Sequence, residues 1–253
     1  MRDNGILFHA KYAYMPNSLG YCGPDENGKI REELEQGTAA EALVGILEKF
    51  EAAYPFLRLI ARSTGRKVFD YEVPEAYWIG SSLLEHVPVP EFYQFSHREL
   101  KGRDPREVRE FFRALDGRAV PHHTFYVLGT FAAPVLADGP SLSNEAQKKV
   151  VESMDCCRIS WGRVRHVGKR ELEVEARPLE LKDGRLRLAP PRVKKARYNP
   201  AISPFRTIRA GDIVSLHWNY ACDLLTKRQE ANISKYTSTD IGLVNRFLSG
   251  RSH

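Results

Sequence analysis

The segment Leu19-Gly-Tyr-Cys-Gly-Pro-Asp25 sets a thiol near a carboxyl group in a loop bounded by glycine and proline. Such a loop can present Cys22 for chemistry, or it can be a tight turn that buries the sulfur. Pro121 is followed by His122 and His123, which could join Cys22 or His9 in a metal site. Adjacent histidines point to opposite faces of a strand and about 100° apart on a helix, so one of them faces any given site. A catalytic centre built on Cys22, His122 and His123 is a second use of the same residues, although no known motif has their spacing. Cys156 and Cys157 are adjacent, and Cys222 shares its segment with Leu224 and Leu225, which points to the core.

Several common chemistries are absent. The chain has no C-x-x-C or H-E-x-x-H, so no standard zinc site is indicated. It has no G-x-G-x-x-G after a strand, no P-loop and no G-x-S-x-G, which removes the commonest cofactor and hydrolase readings. Four cysteines, two of them adjacent, do not make a disulfide framework. The first 14 residues lack the apolar core of a secretory signal, so a cytoplasmic location is expected. No apolar run approaches the roughly 20 residues of a membrane-spanning helix.

The chain of 253 residues is 42% hydrophobic and 28% charged, too apolar for disorder and long enough for a buried core. Net charge is +6, and residues 158–209 carry 15 Lys/Arg against 5 Asp/Glu. The remainder is therefore slightly acidic. A basic segment of this kind suits nucleic acid or the acidic face of a protein, and equally a salt-bridged solvated surface.

The elements that must position these groups follow from periodicity. Residues 1–153 read as a mainly helical domain. Thr38 and Glu41 form a capping-box pattern ahead of Leu43, Ile46, Leu47 and Phe50. Pro55 marks a kink or restart before Phe56, Leu59 and Ile60, and Pro74 suits the first turn of a helix carrying Trp78, Ile79, Leu83 and Leu84. Asp104-Pro105 opens a helix through Leu115, and a last helix spans 144–154. At Cys157 the period shifts to two, with a bend or bulge at Gly162. Residues 171–176 alternate cleanly, and Lys182-Asp183-Gly184-Arg185 predicts a hairpin. Residues 190–204 read as a long basic loop, 213–216 as a strand and 220–225 as helical. Ser238 and Thr239 are expected to cap a final helix. The whole reads as α+β: a helical domain, then at 154–253 a small OB-like β-barrel with C-terminal helices.

The segment Cys157-Arg-Ile-Ser-Trp-Gly162 resembles the opening of the HypC/HupF hydrogenase assembly chaperones, which have a glycine five positions after a cysteine. Gly211-Asp-Ile-Val-Ser-Leu-His217 resembles their later Gly-Asp turn, apolar strand and histidine. The likeness covers roughly residues 156–248. It implies a metal site of Cys157 and His217, with Cys156 able to substitute. The cargo would be iron with carbon monoxide and cyanide ligands, and the partner a hydrogenase large-subunit precursor or another maturation protein. A soft thiolate with a neutral imidazole suits such a carrier, and nearby Arg158 or Arg163 would favour the thiolate. Through Ala13-Tyr14 and 17–25 the whole chain resembles an uncharacterised family associated with nickel–iron hydrogenase gene clusters.

An accessory or maturation protein for nickel–iron hydrogenase is therefore the first expectation, a chaperone or metal carrier more than a catalyst. An OB-like nucleic-acid-binding protein is the second, with Trp161, Tyr198, Phe205 and Trp218 offered for base stacking.

Overall fold

Asn4 caps the first helix, its side chain accepting the Ile6 amide at 2.9 Å. This helix, α1 (Gly5–Ser18), is buried over most of its circumference. It is covered by other helices on one side and by a β-sheet on the other, as expected of a helix apolar all round. The computed structural model describes residues 4–99, 112–113, 115, 118–137 and 143–250, with backbone alone at 95–99, 131–132, 134 and 137.

Around α1 lie α2 (Asn27–Gln36), α3 (Glu41–Leu47), α4 (Tyr54–Thr64) and α5 (Glu72–Trp78). Pro55 sits in the first turn of α4, so it restarts the chain and does not kink it. Pro74 lies in the first turn of α5 as expected, while Leu83 and Leu84 belong to a separate 3-10 turn, Ser82–His86. The expected capping box does not form. Thr38 Oγ1 donates to Glu33 Oε2 at 2.6 Å, and Ala40 precedes α3 instead. After α6 (Val89–Glu99), the expected helix from Asp104 lies outside the described residues, with Leu115 itself in a turn. The chain returns as α7 (His123–Phe125), which runs directly into a π-helical stretch (Tyr126–Ala132) and α8 (Ala133–Ala137). Ser143 then caps α9 (Asn144–Cys157), accepting the Ala146 amide at 3.2 Å.

The fold is α+β. Five strands form a mixed sheet in the order β1-β2-β5-β7-β6, with β6 pairing back onto β1. They are β1 (Ser160–Val167), β2 (Glu171–Ala176), β5 (Arg192–Arg197), β6 (Ile213–His217) and β7 (Tyr220–Leu224). The join between β5 and β7 is a single parallel pair, Arg197 with Tyr220. A separate hairpin of β3 (Leu179–Lys182) and β4 (Arg185–Leu188) turns through Asp183 and Gly184, both at positive φ, as the sequence predicts.

Four expectations are corrected here. The basic stretch 190–204 contains β5, a strand whose alternation is hidden because Arg192 and Lys194 share the face of buried Ala196 while Val193 is exposed on the other. Of residues 220–225, expected to be helical, Tyr220–Leu224 form β7 and not a helix. Trp218 and Asn219, at φ 50° and 54°, make the tight turn that joins it to β6. The final helix, α10 (Lys227–Gly250), begins well before Ser238. The bulge falls between Val164 and His166, not at Gly162. Gly162 instead lets two strands approach, since a Cβ there would lie 2.4 Å from the Glu175 oxygen.

Two apolar cores result. Val164, Leu172, Val174, Ala196, Val214 and Leu216 fill the inside of the strand ring with Tyr198 and Phe205. The second core joins the N-terminal helices to α10, the β3/β4 hairpin and the outer face of β7 through Tyr220 and Cys222. Each fully buried Leu, Ile or Phe contributes roughly 1.5–3 kcal/mol, so this shared core couples α1 firmly to the strands. Among the described residues no helix is long and apolar enough to cross a membrane.

Candidate metal centre

Along β6, Val214 and Leu216 point into the ring, so Ser215 and His217 point out towards α1. Tyr12 Oη and Ser215 Oγ lie 2.9 Å apart, and Lys11 Nζ donates to Asp223 Oδ2 at 3.2 Å on the neighbouring strand. One turn of α1 is thus pinned to β6 and β7. The same packing brings the Tyr12 carbonyl to His217, whose Nδ1–H donates to it at 2.8 Å. Nδ1 then carries the proton, and Nε2 keeps its lone pair. That nitrogen is buried and has no hydrogen-bond partner.

Cys157 and His123 converge on His217. A thiol and two imidazoles, one ligand atom each, lie within 4.8 Å of one another. Cys157 is the last residue of the 14-residue α9, not the opening of β1 as expected; the helix continues through it and the strand begins at Ser160. The carbonyl end of a helix is its negative pole, which favours a cation nearby and disfavours a bare thiolate. His123 opens α7, and the π-helical stretch begins three residues later; such widened turns recur at functional sites.

The hydrogen bonds of His123 show a deficit of protons. Nδ1 lies 3.1 Å from Tyr77 Oη, Nε2 lies 3.0 Å from the Cys157 carbonyl oxygen, and Tyr77 Oη also donates to the Ala52 carbonyl at 2.9 Å. Tyr77 and a neutral imidazole supply two protons for these three contacts. An imidazolium would satisfy all three, but burial, reinforced by the nearby His217, drives the His123 pKa well below its ordinary value. Two tautomers each satisfy two of the three contacts: Nδ1–H to Tyr77 with Tyr77 to Ala52, or Nε2–H to Cys157 with Tyr77 to Nδ1. Only the first leaves Nε2 a lone pair for a metal ion, and an ion there would have to displace the Cys157 carbonyl from its 3.0 Å contact, with Tyr77 and Ala52 orienting the ring as outer-shell partners commonly do.

Burial also sets the thiol. It pushes Cys157 up to about 12, with the neighbouring Cys22 adding to the effect. The cations expected to lower it do not reach it. Arg158 is itself buried, donating to Asp155 Oδ1 at 2.6 and 3.0 Å and to the Arg177 carbonyl, and Arg163 donates to the Gly211 carbonyl. Cys157 is therefore a protonated thiol at neutral pH, unsuited to unaided nucleophilic attack. It becomes a thiolate when a metal displaces its proton. Burial lowers His217 to about 4, so its imidazole is neutral and available as a ligand.

The three residues line a cavity of about 550 Å³ whose walls are mostly apolar, among them Phe50, Trp78, Val127 and Met154. Trp78 lies against His123 and His217, with ring centroids 4.5 and 5.7 Å away, and donates its indole proton to His9 Nδ1 at 2.9 Å. Tyr21, 63% exposed, packs on Trp218 at 4.3 Å, and both rings line the cavity. Trp218 holds a positive φ, costly for a bulky side chain and typical of functional sites.

The structure thus divides the sequence-predicted residues differently from their grouping along the chain. Cys157 and His217 are neighbours, and His123, expected in a second site, joins them. Cys22 lines the same cavity, outside the 4.8 Å cluster. Cys156 turns away: its sulfur meets the Asn219 side chain at 3.8 Å and its carbonyl accepts the Trp218 amide. His122 is also absent from the cluster. It is fully buried and paired through Nδ1 with Asp240 at 2.7 Å, so Cys22, His122 and His123 do not form one centre. Cys222 is core, as expected. Tyr198 and Phe205 fill the strand ring and are not available for stacking on bases. Tyr12, Tyr77 and Trp78 orient the imidazoles and were not predicted to do so. Only the clustering of aromatics in α1 and α5 hinted at them.

An α+β protein with a histidine–cysteine centre at an apolar cavity is the class that fold and site define. The chain matches over residues 1–251 a family of unknown function, DUF6390, and belongs to it. No curated protein and no solved structure matches it.

Proposed function

We propose that this protein binds a transition metal through His123, Cys157 and His217, as an accessory protein in nickel–iron hydrogenase assembly. The observation that carries the metal reading is the unpartnered, buried Nε2 of His217 beside a thiol and a second imidazole. Two neutral nitrogens and one thiolate suit iron, zinc or nickel better than a hard cation. Three protein ligands leave a coordination position open to the cavity, which is what a carrier needs in order to hand its cargo on.

The hydrogenase context rests on the resemblance of residues 156–248 to the HypC/HupF chaperones. The ring order β1-β2-β5-β7-β6 is read as the small OB-like barrel that this resemblance implies. Cys157 and His217, the two positions carrying the likeness, are two of the three residues that converge. The cargo would be an iron fragment, and the partner a large-subunit precursor or another maturation protein.

The test is anaerobic purification from a host assembling hydrogenase, followed by metal analysis and infrared spectroscopy. Stoichiometric iron with carbon monoxide and cyanide bands, both lost in Cys157→Ala, is the expected result. Protein free of iron and of those bands overturns the hydrogenase reading. Failure of the purified apoprotein to take up any added transition metal overturns the metal reading as well.

A further inference from the structure

The charge balance of the cavity singles out one more residue. Among the described side chains that line it, none is a carboxylate, and the one cation, Lys149, is paired with Glu145 at 2.8 Å. A divalent ion held by two neutral imidazoles and one thiolate keeps a net charge of +1. An uncompensated charge among apolar walls is costly, so the cavity favours a neutral centre. A second thiol, Cys22, lines the same space.

Cys22 is also placed for the role. Gly23, at φ 80°, packs against the Phe50 ring so closely that a Cβ would lie 2.5 Å from it, which fixes the loop. Asn17 Nδ2 donates to the Cys22 carbonyl at 2.9 Å and to that of Pro24. Burial raises the Cys22 thiol above its ordinary value, and the backbone N–H groups of Ala52 and Gly23 offset only part of that rise. Ala52 therefore serves both sides of the cavity, its N–H towards the Cys22 sulfur and its carbonyl towards Tyr77 and hence His123.

We infer that Cys22 is the fourth metal ligand, its side chain turning in from the fixed α1–α2 loop to complete a Cys2His2 centre with Cys157, His123 and His217. Two thiols lose their protons to solvent as the ion enters, and the product is neutral. The inference rests on the metal reading above and adds to it a ligand held on a loop. The other three ligands sit at the ends of helices and a strand. Rotating the Cys22 side chain away would open the centre, and rotating it back would close it.

The experiment is titration of the reduced, full-length protein with cobalt(II) under anaerobic conditions, following the thiolate-to-cobalt charge-transfer band. Cys22→Ser and Cys157→Ser should each bind cobalt with about half the wild-type intensity per ion, and Cys156→Ser should match wild type. Zinc-edge X-ray absorption on the wild type, which needs no variant to fold, should give two sulfur and two nitrogen neighbours. Full intensity in Cys22→Ser, or one sulfur neighbour at zinc, overturns the role of Cys22 and leaves the three-residue centre standing. Absence of any cobalt or zinc binding overturns both.

Discussion

His217 Nδ1 and the carbonyl oxygen of Tyr12 are 2.8 Å apart, so the first helix of the chain dictates which nitrogen its next-to-last strand offers to the cavity. Because the acceptor is backbone, no side-chain change at position 12 removes it. Substituting His217 itself is the informative change. His217→Ala should lower zinc or cobalt affinity at least about 100-fold, since losing a ligand costs more than the 10–100-fold typical of an outer-shell partner. Wild type at 100 times its dissociation constant should gain about 2.7 kcal/mol, or roughly 5–10 °C in melting temperature. A melting curve with and without metal reads this directly. An equal metal-induced shift in His217→Ala would contradict the assignment.

On the metal reading, Tyr77 would position His123 without touching the ion. Tyr77→Phe keeps the ring in the core and deletes both contacts, to His123 Nδ1 and to Ala52. Metal affinity should fall about 10–100-fold. Stability of the metal-free protein should fall by only about 1 kcal/mol, the worth of an ordinary hydrogen bond. Cobalt titration together with urea unfolding separates the two effects. A loss of stability with no change in affinity would make Tyr77 purely structural.

Lys11 and Asp223 form a buried ion pair, with side chains 6% and 8% exposed, between α1 and β7. Removing one charge strands the other in the interior. Lys11→Met should cost about 3–5 kcal/mol. The double substitution Lys11→Met/Asp223→Asn should cost clearly less, because no lone charge remains. Denaturant unfolding of the three proteins tests this. Additive losses would show that the two groups are not coupled.

His9 gives the fold an acid sensitivity. Burial lowers its pKa from 6.5 to about 3, and the Trp78 indole proton occupies Nδ1. Between those values the unfolded chain binds a proton that the folded chain refuses, so stability falls as pH falls. The loss runs at about 1.4 kcal/mol per pH unit, about 2 kcal/mol from pH 6.5 to 5 for this residue alone. His9→Gln should flatten the profile by that amount in urea unfolding at a series of pH values. An unchanged slope would place the sensitivity elsewhere.

Much of the helical layer could be read along the chain because proline, serine and asparagine mark its boundaries, as at Pro55 and Ser143. The strands were legible where one face meets solvent, as in Glu171–Ala176. They were not legible where both faces are covered. β7 is buried along nearly its whole length, inward to the ring and outward to α1, so its alternation vanishes and Tyr220–Leu224 imitates a helix. The site was half visible. Cys157 and His217 stood out through the resemblance to the HypC/HupF pattern, and His123 stood out as one of a pair. Their meeting depends on the docking of α7 and α9 on β6, which periodicity does not encode. Asp240 decides between the paired histidines, because it captures His122 from a helix more than a hundred residues downstream.

The three donor side chains begin a helix, end a helix and end a strand, at positions 123, 157 and 217. An ion gripping all three would act as a removable rivet between the two halves of the polypeptide. Its arrival would close two long loops at once and its departure would release them.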